Sequence, residues 1–227
     1  MTQTTAPDTA NPENTVGPAW SPQAMREAQA RAWEGVHQIA AAVRPGMRES
    51  EARALGETIL ADLGMGQAWH PLMVRFGENT LRIFADRNAP DLALAENDIF
   101  FIDIGPVLLG HEADVGAGFA VGDDPEMHAC AAAARTLWHR VAAIWAQESL
   151  TGTALYDRAV AEAQAMGWRL NLDVRGHRVA DYPHPSRQAA GKLGDLAGQP
   201  SAGLWILEIQ IRHPTRPFGA FYEDLLA

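Results

Sequence analysis

The stretch that decides the fold is NDIFFIDIGPVLLGHEADVG, residues 97–116, which sets two acidic residues in an apolar sequence. Asp103 lies inside the apolar run, and Asp114 follows eleven positions later. An ionised carboxylate in an apolar strand is costly to bury unless it is paired with a compensating group. The stretch therefore predicts two hairpin strands that bring two carboxylates together around something that compensates their charge.

The spacing of the two aspartates predicts a register for this hairpin. Facing residues have numbers with a constant sum, so if Asp103 faces Asp114 the turn is Leu108–Leu109, a pair poorly suited to a tight turn. Both side chains then lie on one face, where a bound cation or a shared proton would relieve their repulsion. Taken singly, Asp103 could be a buried acid held by amides or an arginine, and Asp114 an exposed residue.

The composition predicts one globular domain, or at most two small ones. The chain has 227 residues, 47% hydrophobic and 20% charged, which is enough for a sizeable core. The net charge of −10 argues against a general nucleic-acid or anionic-membrane surface. The only cysteine, Cys130, excludes an intramolecular disulfide and suits a reducing cytoplasm, where we expect the protein.

The N-terminal residues differ in composition from the rest of the chain. Residues 1–20 are rich in Thr, Pro, Asn and Asp and lack the features of a signal peptide, which predicts a flexible N-terminal tail. No apolar run approaches the length of a membrane span, so we expect no membrane partner. Residues 21–227 are predicted to form a single domain.

Within this domain the order helix, helix, strands occurs twice. The predicted helices cover 21–43, 48–64, 124–150 and 151–167, and the predicted strands or extended segments cover 68–76, 98–105, 112–122, 168–179, 201–212 and 218–227. Ser21 and Ser50 are the predicted caps of the first two helices. This order predicts an α+β fold with one mainly antiparallel sheet backed by helices.

Three further residues are candidates for a site. Alone, His177 would be a surface histidine, Glu208 could lie on the solvent face of an alternating strand, and Glu223 would be a solvated residue near the C-terminus. With Asp103 and Asp114 they offer four carboxylates and one imidazole. That set suits Mn²⁺, Fe²⁺, Co²⁺ or Zn²⁺, and bridging carboxylates would let two ions about 3.5–4 Å apart share it.

These motifs resemble the pita-bread metallopeptidases, that is methionine aminopeptidase, aminopeptidase P and prolidase, over roughly residues 22–227. DIFFIDIGPVLLGHEADVGAGFAVGDDPE resembles the two-aspartate hairpin of the family, GHRVADYPH contains its histidine pair, and WILEIQI and FYEDLL contain its two glutamates in order. The resemblance implies a pita-bread fold, with a curved antiparallel sheet, helices on its outer face and pseudo-twofold halves.

The resemblance also implies a role for each residue. One metal would be held by Asp103, the other by His177 and Glu208, and both by the bridging residues Asp114 and Glu223. A bridging water of lowered pKa would attack a scissile carbonyl. Glu208 would also shuttle a proton, and His184 would contact the substrate carbonyl and stabilise the tetrahedral intermediate.

Two departures from the family pattern concern the substrate more than the metals. The family places a substrate-contacting histidine before its first aspartate, where this chain has RIFADR. His70, further upstream, could reach the pocket instead as a catalytic residue, and a hydrogen-bonded histidine at a strand edge is the alternative. After Asp114 the family often has Arg-Thr or Ser-Arg-Thr, whereas this chain has Gly116, Ala117 and Gly118.

The sequence therefore predicts a dinuclear metal-dependent hydrolase of aminopeptidase or Xaa-Pro type. Its cofactors would be two divalent ions (Mn²⁺, Co²⁺, Fe²⁺ or Zn²⁺) and its partner a peptide or small amide substrate, with a homodimer as a compatible assembly. A non-catalytic binding module and a non-peptidase amide hydrolase on the same fold are the alternatives.

Overall fold

The computed structural model describes residues 15–86, 88–184 and 191–227. Helix α1 spans Pro22–Ala42 and begins after Ser21, whose hydroxyl accepts a hydrogen bond from the Ala24 N–H, as predicted. Helix α2 spans Glu49–Asp62, so the predicted cap Ser50 is wrong. Ser50 lies in the first turn, where its N–H and hydroxyl both donate to the carboxylate of Asp91.

The second pair of helices repeats the first. Helix α3 spans Pro125–Gln147 after the N-cap Asp124, and α4 spans Gly152–Ala165 after the N-cap Thr151. Cys130 lies on the buried side of α3 with none of its surface exposed, and this burial raises the pKa of its thiol to about 12. No helix in the described part of the chain is long and apolar enough to cross a membrane.

The strands form one sheet in the order β1-β2-β4-β8-β7-β5, with β3 paired to β2 and β6 to β7. They span Ala68–Phe76 (β1), Asp98–Leu108 (β2), His111–Glu112 (β3), Val115–Val121 (β4), Arg169–Leu170 (β5), His177–Arg178 (β6), Trp205–Arg212 (β7) and Gly219–Leu225 (β8). Every pairing between these strands is antiparallel, which confirms the predicted α+β class. The extended segment predicted over 168–179 contains only the short strands β5 and β6.

One face of this sheet packs against the helices. Helices α1 and α2 cover β1 and β2, and α3 covers β4, β7 and β8. Ile102 and Ile104 of β2 belong to this core, and Gly35 of α1 lets the side chain of Ile104 approach the helix closely. Since side chains alternate along a strand, Asp103 points to the opposite face, away from the helices.

The hairpin has a different register from the predicted one. Asp103 faces Gly116, and the turn is Leu109–Gly110, with φ angles of 52° and 71°. Two positive φ values are those of a type I′ turn, whose twist matches the flanking strands. The prediction that Asp103 directly faces Asp114 is therefore wrong, but Asp114 lies two residues before Gly116 and its side chain still shares the face of Asp103.

The segment before α1 lies against the domain. The N–H groups of Gly17 and Ala19 donate to the carboxylate of Asp181, at 2.6 and 3.0 Å, and Arg178 donates to the Thr15 carbonyl at 2.8 Å. Of the tail predicted over residues 1–20, residues 1–14 are outside the described part of the chain. The described contacts of this region thus begin at residue 15.

Candidate metal centre

Three acidic residues form a row across the sheet, on the face away from the helices. Asp103 of β2 pairs with Gly116 of β4, Gly116 pairs with Glu223 of β8, and Glu223 pairs with Glu208 of β7. Directly paired residues in an antiparallel sheet point to the same face, and neighbouring strands lie about 4.8 Å apart. The backbone alone therefore brings these three carboxylates together.

Asp114 and His177 join this row from one side. Asp114 lies two residues before Gly116, and His177 of β6 faces Ile206, two residues before Glu208, so both share the face of the row. The Nε2 atom of His177 lies 2.8 Å from Oδ2 of Asp114. The structure thus places all five predicted ligands on one face, and atoms of Asp114, His177 and Glu223 lie within 4.8 Å of one another.

Gly116, where the chain departs from the family pattern, provides the space for this cluster. A Cβ atom at Gly116 would lie 2.8 Å from Oε1 of Glu223 and 3.0 Å from the carbonyl oxygen of Ile102. The contact with Oε1 would be closer than real Cβ atoms show, and the contact with the Ile102 carbonyl would require a shift of a few tenths of an ångström. The glycine therefore leaves room for the Glu223 carboxylate beside Asp103.

His70 lies in the same cluster, at an irregularity of β1 where it pairs with Gly105. Its Nε2 atom is 3.1 Å from Oδ1 of Asp114 and 3.5 Å from Oδ1 of Asp103. A Cβ atom at Gly105 would lie 2.2 Å from this Nε2, so the ring occupies the space that Gly105 leaves. The ring is directed at the two aspartates, which places His70 at the site rather than at an isolated strand edge.

The acidic cluster is buried and only partly hydrogen-bonded. Asp103 is 7% exposed, and Asp114 and Glu223 are each 1% exposed. Oδ1 of Asp103 and Oε1 of Glu223 accept no hydrogen bond from the residues that the structure describes. Buried carboxylate oxygens are normally paired or bound to metal, so this cluster is suited to a cation.

Burial and mutual repulsion shift the acidities of these groups. Burial raises the pKa of Asp103 to about 6, and it also raises the pKa values of Glu208 and Glu223. Burial acts in the same direction on Asp114, but the neighbouring His70 and His177 hold the pKa of this carboxyl below its usual value. The cluster therefore favours protonation or a bound cation.

The two histidines supply positive charge when no other cation does. Burial disfavours their cationic forms, but Asp103 and Asp114 raise the pKa of His70 to about 9. A hydrogen bond to Asp114 and its charge likewise raise the pKa of His177 to about 9. Asp114 thus stabilises the positive charge of both His70 and His177.

Glu208 and His184, the residues predicted to act on the substrate, have different surroundings. The Gly176 N–H donates to Oε2 of Glu208 at 2.7 Å, which fixes one carboxylate oxygen. The backbone N–H of His184 donates to Oε1 of Glu112 at 3.1 Å, and its ring nitrogen Nδ1 lies 4.0 Å from Oε2 of the same residue. His184 is thus buried beside β3, and its contact with a substrate stays a prediction.

Two residues at the site were not predicted. The amide of Gln29 on α1 bonds to both backbone groups of Asp114, and a glutamine on the apolar face of this helix, four residues after Met25, was the available signal. The Trp69 ring lies 4.3 Å from that of His70 and 5.4 Å from that of His177, between centroids. Its place beside His70 in the sequence gave no indication of the second contact.

Comparison with known proteins identifies similar chains. The model of the family described as metallopeptidase family M24 matches residues 23–224. No curated protein matches the sequence significantly.

Similar solved structures include an X-Pro aminopeptidase from Thermotoga maritima, with a TM-score of 0.68 and 18% identity over 90% of this chain and 59% of that one. The prolidase of Pyrococcus horikoshii has a TM-score of 0.67 and 17% identity over 89% of this chain and 57% of the other. A dipeptidase from the same organism has a TM-score of 0.70 and 18% identity over 90% and 56%. The chain thus spans less than two thirds of each of these proteins, and the likeness confirms the predicted pita-bread fold.

Proposed function

The chain belongs to metallopeptidase family M24, and from this membership we propose that it is a two-metal hydrolase of aminopeptidase or Xaa-Pro type. The observation that carries the proposal is the row of Asp103, Glu223 and Glu208 on β2, β8 and β7, with Gly116 of β4 between the first two, completed by Asp114 and His177. Its substrate would be a peptide or a small amide. The complete ligand set weighs against a non-catalytic binding module.

The residues present fit divalent metal ions. The donors are carboxylates and imidazole, a mixture that suits first-row ions such as Mn²⁺, Co²⁺, Fe²⁺ or Zn²⁺. Oδ1 of Asp103 and Oε1 of Glu223, which accept no hydrogen bond within the described part of the chain, are suited to contact a cation. Ions bound there would lower the pKa of a water molecule and polarise a scissile carbonyl.

Each ligand has a place in the proposed arrangement. Asp103 would hold one ion, and His177 and Glu208 the other. Asp114 and Glu223 would contact both. The two oxygens of Asp114 support its bridging role, because Oδ1 is turned towards His70 and Oδ2 towards His177.

Two residues would act on the reacting groups. Glu208 has one oxygen fixed by the Gly176 N–H and a pKa raised by burial, which suits a carboxyl that takes a proton from water and passes it to the leaving amine. His184 would donate a hydrogen bond to the substrate carbonyl oxygen, where negative charge develops. These roles are the ones that the sequence predicted.

The test combines metal content with a substrate screen. Protein purified without chelator is analysed for metals by mass spectrometry, and it is then incubated with each ion and with Xaa-Pro dipeptides, Met-Xaa dipeptides and N-blocked amides. We expect two ions per chain and release of product from one substrate class. Absence of bound ions would refute the proposal, whereas two ions without hydrolysis of any of these substrates would refute its peptidase part.

A further inference from the structure

We propose that His70 is itself a metal ligand, through Nε2, for the ion that Asp103 and Asp114 hold. This inference rests on the proposed two-metal site and adds a second imidazole to it. Each ion would then have one histidine, His70 or His177, and would share Asp114. The sequence alone had suggested a different role for His70, contact with the substrate.

The first argument is the distance between donor atoms. Ligand atoms about 2.0–2.2 Å from a common ion lie about 2.9–3.5 Å apart when the angle between them is near 90–110°. Nε2 of His70 lies 3.1 Å from Oδ1 of Asp114 and 3.5 Å from Oδ1 of Asp103. Both distances fit ligands of one ion, and one ligand atom from each of the three residues lies within 4.8 Å of the others.

The second argument is the hydrogen bond at the other ring nitrogen. Nδ1 of His70 lies 2.9 Å from the carbonyl oxygen of Pro71. A carbonyl only accepts, so Nδ1 carries the hydrogen and Nε2 is the nitrogen available to a metal. Metal-binding histidines typically donate their second N–H in this way. His177 has the same arrangement, with Nδ1 3.2 Å from the carbonyl oxygen of Arg178.

The third argument is that neighbouring residues fix the position of the His70 ring. Gly105 provides the space on β2, and a Cβ there would collide with the ring. Trp69 packs edge-on against the rings of both His70 and His177, so the two imidazoles are held on either side of Asp114 by a common neighbour. Oδ1 of Asp103, which is nine-tenths buried and accepts no hydrogen bond from the described residues, is the oxygen that faces His70.

The test counts the imidazoles bound to metal. In protein loaded with Co²⁺, the N–H proton of a coordinated imidazole gives a strongly shifted, exchangeable proton NMR signal. We expect two such signals in the unmodified protein. His70→Ala should remove one and His177→Ala the other, and calorimetric titration of His70→Ala with Co²⁺ should show binding of one ion weakened at least tenfold. His128→Ala, which changes an exposed histidine on α3, is the matched control and should keep both signals and both affinities.

The outcomes separate the two proposals. A single shifted signal that only His177→Ala removes, or unchanged Co²⁺ affinity in His70→Ala, would overturn the role of His70 and leave the two-metal hydrolase intact. Two signals in a protein that hydrolyses none of the substrates would support the role of His70 and refute the peptidase. Protein that binds no Co²⁺ would refute both. The number of shifted imidazole signals in the unmodified protein tests the proposal even if a variant does not fold.

Discussion

The side chain of Gln29 forms both backbone hydrogen bonds of Asp114. Its Oε1 accepts from the Asp114 N–H at 2.6 Å, and its Nε2 donates to the Asp114 carbonyl at 2.9 Å and to Asp224 at 2.9 Å. Asp114 lies between β3 and β4, so no strand partner is assigned to it, and a helix residue 85 positions away fixes it instead. The position of the central carboxylate thus depends on α1.

Gln29→Leu should therefore destabilise the metal-free protein and weaken metal binding. The change leaves two buried backbone groups without partners, and we expect a loss of about 2–4 kcal/mol in the free energy of unfolding. Urea denaturation in the presence of chelator measures this loss. Gln38→Leu, at an exposed position of the same helix, is the control, and an equal effect of the two changes would contradict the role of Gln29.

Gly116→Ala tests the space between Asp103 and Glu223. The added methyl group would press on Oε1 of Glu223 and on the Ile102 carbonyl, so we expect a loss of about 1–3 kcal/mol in stability and metal affinity at least tenfold lower by calorimetry. Gly66→Ala is the control, since no atom lies within 4 Å of a Cβ at Gly66. Undiminished metal binding in Gly116→Ala would mean that Glu223 can move aside and is not a fixed ligand.

Asp114→Asn should remove both ions and the activity together, because this residue is the proposed bridge. It should also lower the pKa values of His70 and His177, since the charge of Asp114 raises both. Elemental analysis and NMR titration of the histidines measure the two effects. Asp62→Asn, at the exposed end of α2, should change neither. Two ions retained by Asp114→Asn would rule out its bridging role.

Metal-free protein should lose stability as the pH rises from about 6.5 to about 9. The pKa values of His70 and His177 are raised from 6.5 to about 9 in the folded protein. Their contribution is therefore complete below pH 6.5 and is lost as the pH rises through 9. The raised pKa of Asp103 acts in the same direction between pH 3.8 and about 6.

Bound metal should reverse this trend, because ions compete with protons for the same nitrogen and oxygen atoms. Thermal denaturation across this pH range, with chelator and with saturating metal, compares the two states. The double variant His70→Ala, His177→Ala should lose the downward slope of the metal-free protein. A slope that persists in this variant would assign the effect to groups outside the site.

The sequence predicts which acidic residues share one face of the sheet better than it predicts the register of the hairpin. Asp103 and Glu208 stand among apolar residues, whereas Glu223 is followed by Asp224, and strand alternation then determines the face of all three. The register was missed because it depends on Leu109, which adopts a positive φ that non-glycine residues rarely take. Leu109 is about half exposed, which fits its place in the turn.

Contacts between segments that are distant in the sequence were also not predicted. The bond from Gln29 to Asp114 and the packing of Trp69 on His177 join residues whose separation leaves no periodic pattern in the sequence. Ser50 was predicted as a cap because serine is a common N-cap, yet the loop residue Asp91 binds it inside the first turn of α2. In each case the contact involves a residue that is distant in the sequence, which rules based on neighbouring residues do not identify.

The single cysteine allows the separation of helix α3 from the sheet to be measured. Because the Cys130 thiol is inaccessible and its pKa is raised, a thiol reagent can modify it only after α3 separates from the sheet. The labelling rate divided by that of a free thiol gives the equilibrium constant of this opening without denaturant. Helix α3 packs on β4, β7 and β8, which carry or adjoin the proposed metal ligands. A lower labelling rate in the presence of metal would therefore measure how much metal binding stabilises the contact between α3 and the sheet.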